Sequence, residues 1–392
     1  MTTRLEPADA DECARALAGA SAERRSMRIA GALSKAYLGE LRATDVELRT
    51  VRIAGVVDHV PADLTITVAG GTPFAEMAAA LARAGQFLPL DPPHADRATI
   101  GGVIAANSNG FWRSRYGGVR DLLIGTRLAL ADGTLARAGG RVVKNVAGYD
   151  LDKLVVGSLG TLGVIVEATF KVLPIPAASS GLSATFARAG EAFAAADALV
   201  RGASRQEAIV IERRSGAAWR LHVGARGDRP TVARAKSDAA RAVADLRGSA
   251  EPADDVASRL VALRELPAAA IDGALVRAAL PLAAQTAFAE SAADLDAFTT
   301  LVADAASGIV RVHLRGDDDA VATGAVALLM AARAVGGSGR VERRAESLRE
   351  RIGAWDPAEP RGHFLWGGPG PPRPSRPLRS CRTRTRTRHP RT

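Results

Sequence analysis

Cysteine is nearly absent. The 392 residues hold two, Cys13 and Cys381, so this chain alone builds neither a disulfide framework nor a thiolate-held zinc or iron–sulfur centre, and it suits a reducing cytosol. The six histidines lie too far apart in the sequence to mark a metal site. Long apolar runs are missing as well: uncharged stretches such as 320–332 fall short of the roughly 20 residues of a membrane helix. The opening MTTRLEPADADE has acids where a secretory leader has a basic start and an apolar run. These features point to a cytoplasmic protein. A one-signed charge is lacking in the body of the chain. Eight arginines and no acid lie in 367–392, and the first 366 residues carry 44 basic against 42 acidic side chains. With aromatics at 4%, there is neither a basic face nor a set of stacking rings for nucleic acid.

The composition that remains, 47% apolar and 24% charged, is globular, and the length predicts two or three domains. Residues 8–20 read as a helix and 27–29 as a strand, followed by a loop over 31–39. Alternation over 46–53 and 64–68 predicts half-buried strands. Gly70, Gly71 and Pro73 break the second of these, and 73–84 resumes as a helix with proline in its first turn. A hairpin is expected from 122–130, an Asp132-Gly133 turn and a return through Leu135. Residues 151–156 look helical, and 163–173 form a continuous strand stopped by Pro174 and Pro176. That proline pair divides the chain into 1–176 and 177–366. In the second part 182–186, 208–212, 219–223 and 309–314 read as strands. The Ala-rich segments 230–246 and 318–334 read as helices, which together suggests an antiparallel sheet with helices on one face. No repeat of 20 to 50 residues is present. Residues 367–392, with six of the 20 prolines, cannot bury enough surface to fold, and their abrupt onset is what a frameshift in a GC-rich gene produces.

Four segments between 98 and 165 concentrate glycine and small polar residues: ATIGGVIAANSNG (98–110), YGGVRD (116–121), KNVAGYDLDKL (144–154) and GSLGTLGVI (157–165). Glycine serves where backbone approaches a ligand or adopts positive φ, and runs of free amides form anion nests, so a diphosphate is the natural guest. The P-loop pattern G-x-x-x-x-G-K-[ST] is absent. GSLGTLG spaces its glycines every third residue, unlike the G-x-G-x-x-G of a dinucleotide βαβ unit.

These segments resemble the FAD-binding domain of the vanillyl-alcohol oxidase superfamily. More narrowly, the stretch from HVPADLTITVAGGTPFAEM (59–77) through KNVAGYD to KVLPIP resembles the FAD-binding subunits of bacterial glycolate oxidase. The resemblance implies an α+β chain, with a two-subdomain FAD-binding domain of that type over 1–176 followed by an α+β substrate or cap domain over 177–366. It places a first pyrophosphate loop on Gly31, Ala32, Leu33, Ser34 and Lys35. A second phosphate wall falls on Asp91, Pro92, Thr99, Ile100, Gly101 and Gly102. Ala106 and Asn107 then approach the isoalloxazine, Tyr116 and Gly117 lie on the flavin side, and Arg120 and Asp121 brace that loop as an ion pair. Gly160, Gly163 and Ile165 line the adenosine end. Neither tethering residue of covalent relatives is present, so FAD is expected to be noncovalent. The implied partners are a larger flavin subunit and an iron–sulfur subunit that carry electrons away from glycolate oxidation.

Reduced flavin carries negative charge near N1, which makes Lys144 a candidate stabiliser. Oxidation of a 2-hydroxy acid needs a base for the hydroxyl and a cation for the carboxylate. His222 with Arg220, and His313 with Arg311, each share a strand face at a two-residue spacing. The H-x-G-[DE]-G-N-x-H motif common among relatives that oxidise lactate or glycolate directly is missing. The reading is a subunit that depends on partners for turnover. A free-standing 2-hydroxy acid oxidoreductase and a noncatalytic flavin-bearing scaffold remain as alternatives.

Overall fold

The computed structural model describes residues 2–38, 43–140, 150–251 and 256–353. Lys144 and the 367–392 tail lie outside the described residues.

The first half is built on two sheets. Thr3–Leu5, Val46–Arg49 and Met27–Ala30 form a parallel sheet with Val46–Arg49 in the middle. The helix Ala10–Ala22 connects its outer strands; Asp9 caps it by accepting from the Glu12 amide at 2.7 Å. Cys13 and Leu17 of this helix bury against Leu48, Ala129 and Val166. The second sheet is antiparallel, in the order Val56–Val60, Thr65–Ala69, Val164–Lys171, Leu123–Ala129, Leu135–Gly139. Its far face packs on the helices Phe74–Arg83 and Ile100–Ala105 around Met77, Leu81, Ile104 and Phe170. Pro73 stands one residue outside its helix, at the N-cap, where its lack of an N–H costs nothing.

From Ala178 onward one antiparallel sheet of eight strands forms, in the order Ser249–Ala250, Ala178–Phe186, Trp219–Gly227, Ala208–Arg214, Phe298–Asp304, Ile309–Leu314, Ala274–Ala279, Ser338–Arg344. The α+β class expected from the sequence is present, with twice the strands expected in this half. The chain order resolves the sheet into two βαββαβ units. The first runs from Ala178 to Ala250 and the second from Ala274 to Arg344; each orders its strands fourth, first, third, second, and they join through their second strands. The repeat is about 95 residues long and carries little sequence identity, so a search for short repeats passes over it.

Helices Ala189–Arg201, Arg229–Asp245, Gln285–Ala293 and Asp318–Ala334 cover one face of the sheet in one large core with Phe186, Leu221, Leu301 and Val312. The other face meets the first half of the chain. There Phe111 packs with Ala208, Val210, Leu263 and Val302, and the Glu265 carboxylate accepts from the His94 amide at 2.8 Å. No helix among the described residues is long and apolar enough to cross a membrane.

Candidate functional site

The loop after Met27–Ala30 begins at Gly31, where any Cβ would overlap the Thr99 hydroxyl. Leu33 then turns left-handed at φ 56°, costing about 1 kcal/mol or more for a leucine. The amides of Ala36 and Leu38 close turns onto Leu33 and Lys35. Those of Gly31, Ala32, Leu33, Ser34 and Lys35 have no acceptor among the described residues. Five consecutive half-buried donors bent by one left-handed residue make a nest for an anion. The Lys35 ammonium reaches the Pro93 carbonyl at 3.4 Å; burial lowers its pKa to about 8, with Glu265 opposing and Arg97 adding to the fall.

Thr99 caps the helix Ile100–Ala105 by accepting from Gly102 N at 3.3 Å. The amides of Ile100 and Gly101 donate to the carbonyls of Thr72 and Gly70. The first-turn donors of this segment therefore serve packing. Gly70 and Gly101 are required because their backbones cross that of Ile165 closely: a Cβ on Gly70 would overlap the Ile165 carbonyl, and one on Gly101 would come within 3.3 Å of it. At the other end of the helix Asn107 adopts φ 46°. The 157–160 loop hangs from the same end, Gly157 N donating to Ile104 O and Leu159 N to Ala105 O. Gly157 and Gly160 take φ 84° and 80°. A Cβ on Gly160 would contact Ile29 at 3.5 Å, and one on Gly157 would contact Asn107 at 3.6 Å. Fold contacts thus gather Gly31, Thr99, Gly101, Gly102, Ala106, Asn107, Gly160 and Ile165, 134 positions apart at the extremes, around one short helix. Gly163 stands slightly aside, its backbone at φ 147° beside Ala129 and Leu130.

Asp91 and Tyr116 face elsewhere. The fully enclosed Asp91 carboxylate accepts from Phe111 N at 2.8 Å and Trp112 N at 3.1 Å. Burial pushes its pKa up to about 7 against those hydrogen bonds. It orders the loop after Asn107, with buried Pro92 beside it. Tyr116 packs edge-on to Phe87 at 5.9 Å and its hydroxyl engages Glu207 of the eight-stranded sheet. Gly117 at φ 83° begins a turn in which Asp121 accepts from Gly118 N at 2.8 Å. Arg120 donates instead to the Lys153 carbonyl at 3.3 Å. The expected Arg120–Asp121 ion pair is not formed, because each side chain finds a backbone partner nearer its own root.

On the sheet, Arg220-Leu221-His222 and Arg311-Val312-His313 occupy the third strands of the two βαββαβ units, at matching positions. Two strands separate them, so they do not form one site. His222 is fully buried, Nδ1 against Ser183 Oγ at 2.8 Å and Nε2 against Glu212 Oε2 at 3.2 Å. Burial raises the Glu212 pKa, but hydrogen bonds from His222 and Arg214 outweigh it and hold the group at about 2. Both nitrogens of His222 are engaged by protein groups and none of its surface is open to a substrate; Arg220 pairs with Glu251 at 3.1 Å. His313 differs. Its Nε2 donates to the Asp272 carbonyl at 2.8 Å, so Nε2 carries a proton, and Nδ1 has no hydrogen-bond partner among the described residues. Arg311 is bound to the buried Glu342 at 2.7 Å, which lowers Glu342 to about 2 against its burial. Sequence reasoning passed over Arg277, set in ALVRAA. It stands directly opposite Arg311 on one side and Arg340 on the other. Its guanidinium has no hydrogen-bond or carboxylate partner among the described residues, and burial followed by the charges of Arg311 and Arg340 lowers it to about 9.

Residues 3–139 match the FAD binding domain family. They belong to it. That FAD binding domain contains the Gly31–Lys35 nest and the helix Ile100–Ala105. Over 165 residues the chain is 45% identical to glycolate oxidase subunit GlcE of Escherichia coli K12, covering 42% of this chain and 47% of that protein. It is 44% identical over 124 residues to glycolate oxidase subunit GlcD of Bacillus subtilis 168, covering 32% and 26%. It is 40% identical over 114 residues to the mitochondrial cytochrome-type D-lactate dehydrogenase of Arabidopsis thaliana, covering 29% and 20%. The matched region thus spans less than half the length of each of these relatives. Among solved structures, alkyldihydroxyacetonephosphate synthase superposes with a TM-score of 0.69 over 86% of this chain and 71% of its own, at 15% identity. The FAD binding domain and the sheet behind it therefore share a fold with that enzyme.

Proposed function

We propose that this chain is the FAD-binding component of a 2-hydroxy acid oxidoreductase, with glycolate as substrate, and that a larger flavin subunit and an iron–sulfur subunit accept its electrons. The observation that carries the reading is the nest of five acceptor-free amides at Gly31–Lys35 inside a matched FAD binding domain, supported by the glycolate oxidase subunits among the relatives. The residues present fit the cofactor. The nest and the Lys35 ammonium would hold the diphosphate, and the surface around Ile29, Gly157 and Gly160 would receive the adenosine end. FAD, when bound, supplies the two-electron acceptor for the hydride on the α-carbon. His313 Nδ1 would take the hydroxyl proton, while Nε2 donates to the Asp272 carbonyl.

Cofactor binding is noncovalent in this reading. Cys13, the one cysteine among the described residues, is enclosed and pushed up to about 12 by burial, so it cannot act as a tether. Acid precipitation of the purified chain should leave the yellow colour in the supernatant; colour in the pellet would refute noncovalent attachment. Anaerobic mixing with glycolate should bleach the flavin once, with sustained turnover only after the partner subunits are added. A chain that binds no flavin, or whose flavin glycolate never bleaches with or without partners, would overturn the assignment.

A further inference from the structure

We propose that Arg277 anchors a carboxylate on the sheet face that meets the FAD binding domain, and that its ligand is the carboxylate of a small α-hydroxy acid. Three arginines stand side by side across adjacent strands: Arg311, Arg277 and Arg340 in direct register. Like charges directly opposite one another in a sheet destabilise it. Glu342 pairs with two members of this row, at 2.7 Å from Arg311 and 3.4 Å from Arg340, and Arg277 has no carboxylate partner among the described residues. A positive charge also reaches Arg277 from Arg113 in the first half.

The fold does not require this row. The first βαββαβ unit is an internal control, for its equivalent positions are Thr185, Arg220 and Ser249, and there the single arginine pairs with Glu251, which Arg259 also approaches at 3.8 Å. The same architecture is therefore built with one arginine at these positions in one unit and three in direct register in the other. A cationic surplus that costs stability and is not needed for folding is explained by an anion that offsets it on binding.

Position indicates which anion. His313 lies two residues from Arg311 on the same strand face, diagonal to Arg277, within reach of long side chains in such a pair. Its Nδ1 and the Arg277 guanidinium, neither with a hydrogen-bond partner among the described residues, are the two groups an α-hydroxy acid needs, a base for the hydroxyl and a fork for the carboxylate. The opposing wall comes from the loops carrying Tyr37 and Arg113; the first of these continues the Gly31–Lys35 nest. This assignment rests on the reading of the chain as part of a 2-hydroxy acid oxidoreductase and adds the residue that selects the acid.

The test uses the full chain loaded with FAD and two unreactive probes, oxalate and 2-hydroxyisobutyrate, which has no α-hydrogen to lose; 2-hydroxyisobutyramide is the neutral control. Calorimetry should show saturable binding of at least one anion by the wild type and none of the amide. Arg277→Met should weaken it by about 10- to 100-fold, the range for a charged hydrogen bond, and Arg277→Lys should fall between. The ligand-free Arg277→Met chain should melt no lower than the wild type, since repulsion is relieved, and should bind FAD as tightly. Undiminished anion binding in Arg277→Met, equal binding of the amide, or no anion binding by the wild type would overturn the proposal. Loss of FAD affinity in the variant would reassign the row to the cofactor's phosphates and overturn it too. A failure of the wild type to bind FAD would instead strike the functional reading.

Discussion

Gly31 and Thr99 are 68 positions apart, yet the hydroxyl of one occupies the place where a side chain on the other would begin. The same hydroxyl caps the helix Ile100–Ala105. Gly31→Ala therefore forces a choice between displacing the nest and turning Thr99 away from its cap, a loss of about 1 kcal/mol. FAD affinity, followed by quenching of flavin fluorescence, should drop at least tenfold in Gly31→Ala. Much of it should return in the Gly31→Ala/Thr99→Ala double variant, where room is restored at the expense of the cap. Unchanged affinity in the single variant would show that the diphosphate lies elsewhere. The loop at 31–35 was placed as a pyrophosphate loop by resemblance alone; that its tightness is set by a threonine in another motif was not legible in the sequence.

At the scale of elements, the two R-x-H pairs are explained by the doubled βαββαβ unit and carry different roles. The Ser183–His222–Glu212 chain ties three strands beneath the sheet surface. Removing the histidine leaves a buried carboxylate short of a partner, which costs about 3 to 5 kcal/mol. His222→Ala should lower the free energy of unfolding, from denaturant titration, by an amount in that range while FAD affinity, measured in the folded protein, stays unchanged. A stable His222→Ala chain that no longer reduces flavin would give His222 a catalytic role instead. Glu212 also sets a pH limit. Its folded pKa of about 2 lies below the 4.5 of an unperturbed glutamate, so the stability it confers is full above pH 4.5 and is lost as the pH falls toward 2. Acid unfolding of Glu212→Gln should show a shallower dependence over that window than the wild type.

Three of the strands that escaped the reading of the sequence did so for a related reason. ALVRAA (Ala274–Ala279) and FTTLVAD (Phe298–Asp304) lie in a sheet covered by helices on one face and by the FAD binding domain on the other. Two buried faces erase the alternation that marks a half-wet strand. SGRVERR (Ser338–Arg344) alternates weakly because its charges point into the seam.

On the scale of the whole molecule, the seam between the two halves encloses acids without full compensation. Asp304 is pushed up to about 6 by burial, against the Ser307 hydrogen bonds and the charge of Arg311, and Asp91 stands at about 7. Both exceed the 3.8 of an unperturbed aspartate. Their contribution to stability is therefore full below about pH 4 and is lost as the pH rises through 6 to 7. His94, lowered first by burial, favours the folded state on the other side of this window, so the comparison must be made against a variant. The melting temperature of Asp304→Asn should decline less between pH 5 and 7.5 than that of the wild type, and at pH 7.5 the variant should be the more stable of the two. An equal decline in both would mean that Asp304 is ionised throughout.

By itself the sequence determined the class of the molecule and the location of its ligand-binding half. Glycine spacing, proline stops and helix periodicity are local signals, and each reflects a backbone constraint acting within a few residues. Only the tertiary structure decided which polar groups are spent and which are free. Arg311, singled out from spacing, is bound by Glu342, 31 positions away, and His222 is closed off by Ser183 and Glu212. Arg277, in a segment with no distinguishing pattern, is left without a hydrogen-bond or carboxylate partner among the described residues. The state of a charge depends on what the fold places opposite it, and strand pairing sets that across distances a sequence pattern does not record.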